Sequence, residues 1–380
     1  MNIAFLTSEY PHSQTGNSGG IGTSIKNLSQ SLCEEGHAVF VYVYGQSIDD
    51  TFYDGKVCIK RIQNRLLKGL SWWLTRKKIE RILNRDIMLL GIDIIEVPDW
   101  TGITAWMNIQ CPVVMRLHGS DTFFCHLEQR HVKWWNKLQE KTAYKKADGI
   151  IAVSDFVGSN TNQLFNTSRP YFVIPNGIST NQFKSTNEEL TEPTIFYFGT
   201  LIRKKGVLEL PAIFNFVHQQ LPNTRLILIG TDAPDITTGF SSTWEIMKPL
   251  FSQNTLSHVS FLGKVAYTEI QSHIQKATVC VFPSYAEACP VSWLEAMAMG
   301  KAIVASNIGW APELITDTTE GFLVHPKHHS EFADKILLVL QSETLRTQLG
   351  NSARQRCINH FDGIQIAKQS VAFYSKHIIK

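Results

Sequence analysis

Pro283-Ser284-Tyr285-Ala286-Glu287-Ala288-Cys289-Pro290-Val291-Ser292-Trp293-Leu294-Glu295-Ala296-Met297-Ala298-Met299-Gly300 is the stretch on which the reading of this chain turns. The apolar run before it, Ala277 to Phe282, has the composition of a buried strand, and Pro283-Ser284 ends it. Glu287 then falls in a short loop. Pro290 suits the first turn of a following helix, where a missing N–H costs nothing. Glu295 lies inside that helix, and Gly300 suits its C-terminal cap. Two carboxylates eight residues apart thus flank a helix N-terminus, with its free N–H groups and positive dipole end. Such a place suits a phosphate, with carboxylates to accept hydrogen bonds from hydroxyls. A sugar nucleotide carries both kinds of group. Two isolated glutamates would read as one helix charge and one loop charge, so the rest of the chain has to decide.

Outward from that stretch, apolar strand-like runs alternate with helix-length segments, the pattern of parallel α/β sheets. Runs at 3–6, 38–43, 94–97, 113–117, 149–153 and 171–174 predict one doubly wound domain over residues 1–184. Runs at 195–198, 226–229, 259–262, 278–282, 302–305 and 322–324 predict a second over 193–360. The polar tract 185–192, followed by Pro193, reads as the linker. A terminal helix is expected over 361–380. Two such domains facing each other place a crevice at the C-terminal ends of both sheets, where open α/β sheets bind ligands.

The totals narrow the class. With 380 residues, 43% hydrophobic and 18% charged, the composition is that of a folded two-domain protein and not of a disordered one. A net charge of +3 gives no electrostatic case for nucleic acid. Seven cysteines, at 33, 58, 111, 125, 280, 289 and 357, form no C-x-x-C pair and read as reduced thiols of a cytosolic protein. No signal peptide is expected ahead of the strand-like Ile3–Leu6, and no run reaches the length of a membrane span.

Further motifs lie at strand ends. After the first strand, Gly16-Asn17-Ser18-Gly19-Gly20-Ile21-Gly22 precedes a helix. Gly19, Gly20 and Gly22 allow close approach of a ligand to backbone N–H groups, or simply a flexible loop. The spacing does not fit a nicotinamide fingerprint. His118-Gly119 ends the strand 113–117 on the crevice side. Arg203-Lys204-Lys205-Gly206 follows the strand 195–198 and would hold a diphosphate by charge. From Lys60 to Asp86, nine basic residues stand against two acidic ones, interleaved with Leu66, Leu67, Leu70, Trp72 and Trp73. Trp72, Trp73, Arg76, Lys77 and Lys78 there suggest a basic helix for an acceptor or an anionic membrane surface. A helix packed on the sheet with a solvated basic face is the alternative.

Glu287 and Glu295, with Leu294–Ser306 (LEAMAMGKAIVAS), resemble the donor-site signature of the family 4 glycosyltransferases of GT-B fold. The glycine tract, His118-Gly119, Pro175-Asn176-Gly177 and Lys205-Gly206 resemble the family's other landmarks and come in its order. The resemblance implies two Rossmann-like domains and a retaining enzyme. It would move a hexose-type sugar from a nucleoside diphosphate sugar, a UDP-sugar being favoured, to a glycan or lipid-linked acceptor hydroxyl. It implies that Glu295 holds the ribose hydroxyls, Lys205 neutralises the diphosphate, and His118 and Glu287 orient the sugar. It places Gly19, Gly20, Gly22, Cys289, Pro290, Val291 and Glu313 around the donor, Glu313 in Gly309-Trp310-Ala311-Pro312-Glu313, where Trp310 replaces a second glycine. The family's arginine directly after the glycine is Thr200 here, leaving Arg203 or Lys204 to supply a second charge, Arg203 being the better bidentate donor. No metal or other cofactor is expected, nor any nucleic-acid partner. The expected place is the cytoplasm, at the inner face of a membrane, in cell-surface polysaccharide or glycoconjugate synthesis. A sugar-nucleotide epimerase or hydrolase, or a non-catalytic binding subunit of the same fold, are the alternatives.

Overall fold

The apolar runs become parallel strands because both faces of each sheet are covered by helices, which leaves no polar-out alternation to write into the sequence. The structure is a computed structural model that describes residues 1–16, 18–184 and 192–378. It divides into one unit of Met1–Ser179 with Phe361–Lys380, and a second of Thr180–His360. Of the tract 185–192 read as a linker, residues 185–191 lie outside the described ones.

In the first unit the strands are β1 (Asn2–Thr7), β2 (Ala38–Gln46), β3 (Asp50–Asp54), β4 (Val57–Gln63), β5 (Ile94–Pro98), β6 (Val113–Leu117), β7 (Gly149–Ala152) and β8 (Phe172–Val173). They lie in the order β3-β4-β2-β1-β5-β6-β7-β8. Every pairing is parallel except the β3–β4 hairpin. The winding reverses between β1 and β5, so the segments after those two strands flank the switch point where such sheets take ligands. Ile3, Phe5, Val41 and Ile94 pack with Ile25, Leu28 and Leu32 of the helix Gly20–Glu34. Ile366, Ala367 and Tyr374 of the terminal helix Gly363–Ile378 complete that core. A buried polar network secures the terminal helix. Arg116 on β6 grips Glu96 on β5 at 2.8 and 3.0 Å and donates to Ser370 Oγ at 3.0 Å, while Tyr374 Oη donates to Glu96 at 2.5 Å.

In the second unit β9 (Thr194–Phe198), β10 (Arg225–Ile229), β11 (Val259–Phe261), β12 (Val279–Phe282), β13 (Ile303–Ser306) and β14 (Phe322–Val324) form an all-parallel sheet. Its order is β11-β10-β9-β12-β13-β14. The reversal falls between β9 and β12, which makes neighbours of the turn after Phe198 and the loop after Phe282. Trp293, on the helix Val291–Ala298, stacks on Phe282 at 5.9 Å and meets Trp310 at 6.4 Å, both indoles fully buried.

One expectation needs correction. The stretch from Lys60 to Asp86 is not a single basic helix: its start is the edge hairpin, and the helix runs only from Ser71 to Leu90. Lys60 leaves β4 to meet Asp86 at 2.6 Å, Arg61 meets Asp50, Lys77 meets Glu80 at 2.9 Å and Lys78 meets Asp49 at 2.6 Å. Much of the charge that reads as a membrane face is thus neutralised by acids the helix pattern does not show.

Candidate active site

The two loops at the switch of the second sheet are locked together by backbone. Tyr285 N–H and Ala286 N–H both donate to the Lys204 carbonyl, at 2.8 and 3.2 Å. Gly206 sits at φ +65°, and a Cβ there would lie 1.7 Å from the Pro283 carbonyl oxygen, so no other residue fits the crossing. The lock sets Lys205 against Glu287, Nζ to Oε1 2.8 Å, and Ser284 Oγ donates to the same oxygen at 3.3 Å. Side chains extend it: Glu209, four residues past Lys205, accepts from Tyr285 Oη at 2.9 Å and meets His329 Nε2 at 2.6 Å.

Glu295 lies one turn into the helix Val291–Ala298 and is buried, with Tyr267 Oη donating to it at 2.6 Å. Burial pushes its carboxyl up to about 7, against the Tyr267 bond and the nearby charge of Lys205, which act the other way. Pro290 takes the position before the helix and not its first turn, and no side chain among the described residues caps that end. Cys289 and Val291, on either side of it, are buried. Gly300 adopts φ +64° just past the helix, as its place in the sequence predicts.

The other residues expected here divide. Arg203 turns away from the Lys205–Glu287 pair and grips Asp235 with two bonds, 2.8 and 2.7 Å. That pair, with Thr238 N–H and Oγ1 also donating, holds Asp235 well below the usual carboxylate range. Thr200 keeps only a backbone role, its carbonyl accepting from Tyr197 Oη at 3.0 Å. Glu313 is half-buried on the short helix Ala311–Leu314, and its carbonyl accepts from Arg356 at 3.0 Å. Trp310, in place of a glycine, is core.

In the first unit the glycine tract departs from expectation. Gly19 N–H and Gly22 N–H donate to the two oxygens of Glu9, at 2.8 and 2.9 Å, so a side chain of the protein itself sits where a ligand anion was expected. Gly20 is exposed beside them. His118 is nearly buried, and burial with the charge of Arg116 pushes its imidazole down to about 3, so the ring is neutral near pH 7. Its backbone N–H donates to Asp99 Oδ1 at 2.9 Å. Asp99, missed in the sequence, is 2% exposed, its other oxygen has no hydrogen-bond partner, and burial raises it to about 7. A carboxylate directly after the apolar strand β5, beside the switch point, is the signal that would have found it. Trp72 and Trp73 are partly exposed, Lys77 and Lys78 are ion-paired, and Arg76 is buried. Among the described residues no three His, Cys, Asp or Glu side chains are grouped to hold a metal ion.

This architecture defines a class. The chain superposes on sucrose-phosphate synthase from Thermosynechococcus elongatus with a TM-score of 0.79 over 99% of both chains, at 20% identity. It superposes on Anabaena HepE in complex with UDP with a TM-score of 0.75 over 99% and 100%, also at 20% identity. The fold is GT-B. Residues 178–356 match the family described as "Glycosyl transferases group 1", and residues 18–182 match "Glycosyltransferase Family 4". Alpha-maltose-1-phosphate synthase from Mycolicibacterium smegmatis is 26% identical over 408 residues, 99% of each chain. Together the two matches span residues 18–356, and the protein is a glycosyltransferase of GT-B fold.

Proposed function

We propose that this enzyme transfers a hexose-type sugar from a nucleoside diphosphate sugar, a UDP-sugar being favoured, to a hydroxyl of a glycan or lipid-linked acceptor, with retention and without a metal. The observation that carries the reading is the ion pair of Lys205 with Glu287 beside an uncapped helix end and the buried Glu295. An ammonium has three donors, so Lys205 serves Glu287 and a diphosphate oxygen together. As the bond from the anomeric carbon to the diphosphate breaks, negative charge grows on the departing oxygen, and a fixed cation there lowers the barrier. The acceptor oxygen bonds to the same face of that carbon, and its proton passes to the departing phosphate oxygen, so no protein base is assigned. Glu295 accepts from the ribose hydroxyls, Glu287 and His118 orient the sugar, and Gly20, Cys289, Pro290, Val291 and Glu313 surround the donor. The UDP in the HepE complex supports the donor class.

Peripheral attachment at the inner face of a membrane is proposed for the exposed Leu66, Leu67, Leu70, Trp72 and Trp73 with the neighbouring Arg65 and Lys68. No described helix is long and apolar enough to cross a membrane. Flotation with anionic liposomes tests this part: a Trp72/Trp73 double alanine variant that floats like the wild type would reject it.

The test of the main reading is a thermal-shift screen against UDP-, GDP-, ADP- and dTDP-sugars, followed by transfer with and without EDTA and analysis of the product anomer. A ligand at 100 times its Kd adds about 2.7 kcal/mol, well within detection. An inverted product would sink retention, and activity lost to EDTA and restored by a divalent ion would sink the metal-free route. Donor consumed with no acceptor present would favour the hydrolase or epimerase.

A further inference from the structure

Arg76 stands apart from the other cations of its helix. It is 8% exposed, and its contacts are neutral: Nε donates to the Ile103 carbonyl at 3.1 Å, and Nη2 reaches the Gly102 carbonyl at 3.5 Å and Gln139 Oε1. The guanidinium also lies over the Trp72 ring, 5.5 Å from its centroid. The acids of this face are engaged elsewhere: Asp49 by Lys78, Asp50 by Arg61, Glu80 by Lys77, and Asp86 by Lys60 and Arg85. A buried charge without a counter-ion is costly and calls for a partner.

The place where a partner fits is a cavity of about 290 Å³ lined by Arg76 itself, with Arg65, Asn64, Asn136, Gln139 and Trp72. Gln139 gives its carbonyl oxygen to Arg76, which leaves its amide N–H groups as donors. The wall is built at some cost to the backbone. Thr101, which also lines the cavity, is β-branched yet sits at φ +61°. Next to it, Gly102 at φ +55° lies so close to the helix Trp134–Lys146 that a Cβ would come within 2.5 Å of the Gln139 backbone. That approach brings the Gly102 and Ile103 carbonyls and the Gln139 amide to Arg76 together.

We propose that this cavity is an anion subsite that takes a phosphate group carried by the acceptor. A tetrahedral phosphate offers several acceptor oxygens to two guanidinium groups and the amides of Asn64 and Gln139, while Asn136 already gives one amide N–H to Asp121 Oδ2 at 2.9 Å and has one left. The Trp72 face with Leu66 at the rim accommodates the carbon skeleton attached to it. The use as an acceptor site rests on the transferase reading; the anion seat does not. The phosphate belongs either to a lipid or to a soluble sugar, and the seat chemistry is common to both.

The test is calorimetric titration of the full chain carrying Lys205→Ala, which silences the proposed diphosphate seat in the other unit. The probes are dodecyl phosphate and glucose 6-phosphate, against dodecyl glucoside and glucose. Each phosphate should bind at least about tenfold tighter than its neutral partner, with quenching of tryptophan fluorescence through Trp72. Arg76→Gln should weaken phosphate binding about tenfold or more, and the exposed Arg65→Ala about threefold. Arg65→Ala keeps the test alive where Arg76→Gln fails to fold. The tighter of the two phosphates identifies the source. Phosphates binding no better than neutral probes, or equally well in both variants, would overturn the subsite. Phosphate binding with no transfer to any phosphorylated acceptor would keep the seat and reject its acceptor role. In the chain with Lys205 intact, transfer to phosphorylated acceptors no faster than to neutral ones and untouched by Arg65→Ala would reject that role and leave the transferase standing.

Discussion

Two helices begin where a phosphate would suit them, and the protein treats the two ends differently. The helix Gly20–Glu34 of the first unit receives both oxygens of Glu9 on Gly19 and Gly22 N–H. The helix Val291–Ala298 of the second unit starts at Pro290 with no capping side chain, and its own carboxylates are turned to other tasks, Glu287 to Lys205 and Glu295 to Tyr267. An end already holding a carboxylate has its dipole and donors partly satisfied, so a second anion gains less there. An uncapped end with a lysine alongside still has those donors to offer. On the proposed reading the difference assigns the donor phosphates to the second unit and leaves the glycine tract of the first a mainly structural task.

The largest expected effect tests the lysine of the open end. Lys205→Ala should lower kcat by about 100-fold or more, the scale of losing one preorganised charge partner in the transition state. Arg203→Ala should cost far less, because Arg203 is committed to Asp235. Initial rates at saturating donor measure both. A Lys205→Ala enzyme within severalfold of wild type would break the contrast outright, since both helix ends would then be idle in catalysis.

A middle-sized effect comes from Glu295. Its carboxyl, raised to about 7, must lose its proton to accept from two ribose hydroxyls. Nucleoside diphosphate affinity should therefore rise with pH through about 7, and Glu295→Gln should lose about tenfold in affinity together with that dependence. Glu287→Ala should leave affinity largely intact and lower the transfer rate. Stability of the ligand-free protein runs the other way. A carboxyl whose folded pKa is above its unfolded value of 4.5 stabilises the fold at low pH, and this is lost as pH rises from about 4.5 through about 7. Asp99 contributes a slope of the same sign from the first unit, so Glu295→Gln should reduce the slope without abolishing it. Calorimetric titration and denaturant curves across that range check both. Affinity independent of pH would remove Glu295 from the ribose.

What the sequence made legible follows from the same contrast. Parallel strands such as Ile303–Ser306 are buried on both faces and stand out as apolar runs, and the Glu287–Glu295 spacing survives as a local pattern. The hairpin at 50–63 was illegible because Asp50-Thr51-Phe52-Tyr53-Asp54 is a polar edge strand, and Lys60 and Arg61 beside it read as helix charges. Their partners, Asp86 and Asp50, are set by tertiary pairing that no local periodicity encodes. Asp235 stands 32 residues from Arg203, and Glu209 stands 120 from His329. Glu9 was missed for a related reason: it stands ten positions before Gly19, and capping rules look only a few residues away.

Glu9 supplies the smallest effect and the finest test of the comparison. Its two bonds to Gly19 and Gly22 make it a capping carboxylate supplied from outside the helix, so Glu9→Ala should destabilise the first unit by about 1 kcal/mol, the usual size of a lost cap. Removing the carboxylate also re-exposes two donors at the positive end of a 15-residue helix. Inorganic phosphate or sulfate should then restore part of the lost stability in Glu9→Ala and give the wild type a smaller increment. Glu9→Gln keeps one acceptor oxygen and should fall between the two. Thermal denaturation of the three proteins with and without phosphate, at constant ionic strength, separates seat filling from general screening. Equal phosphate increments in wild type and Glu9→Ala would mean that Glu9 does not occupy an anion seat, and the glycine tract would return to the list of places for the donor's phosphates.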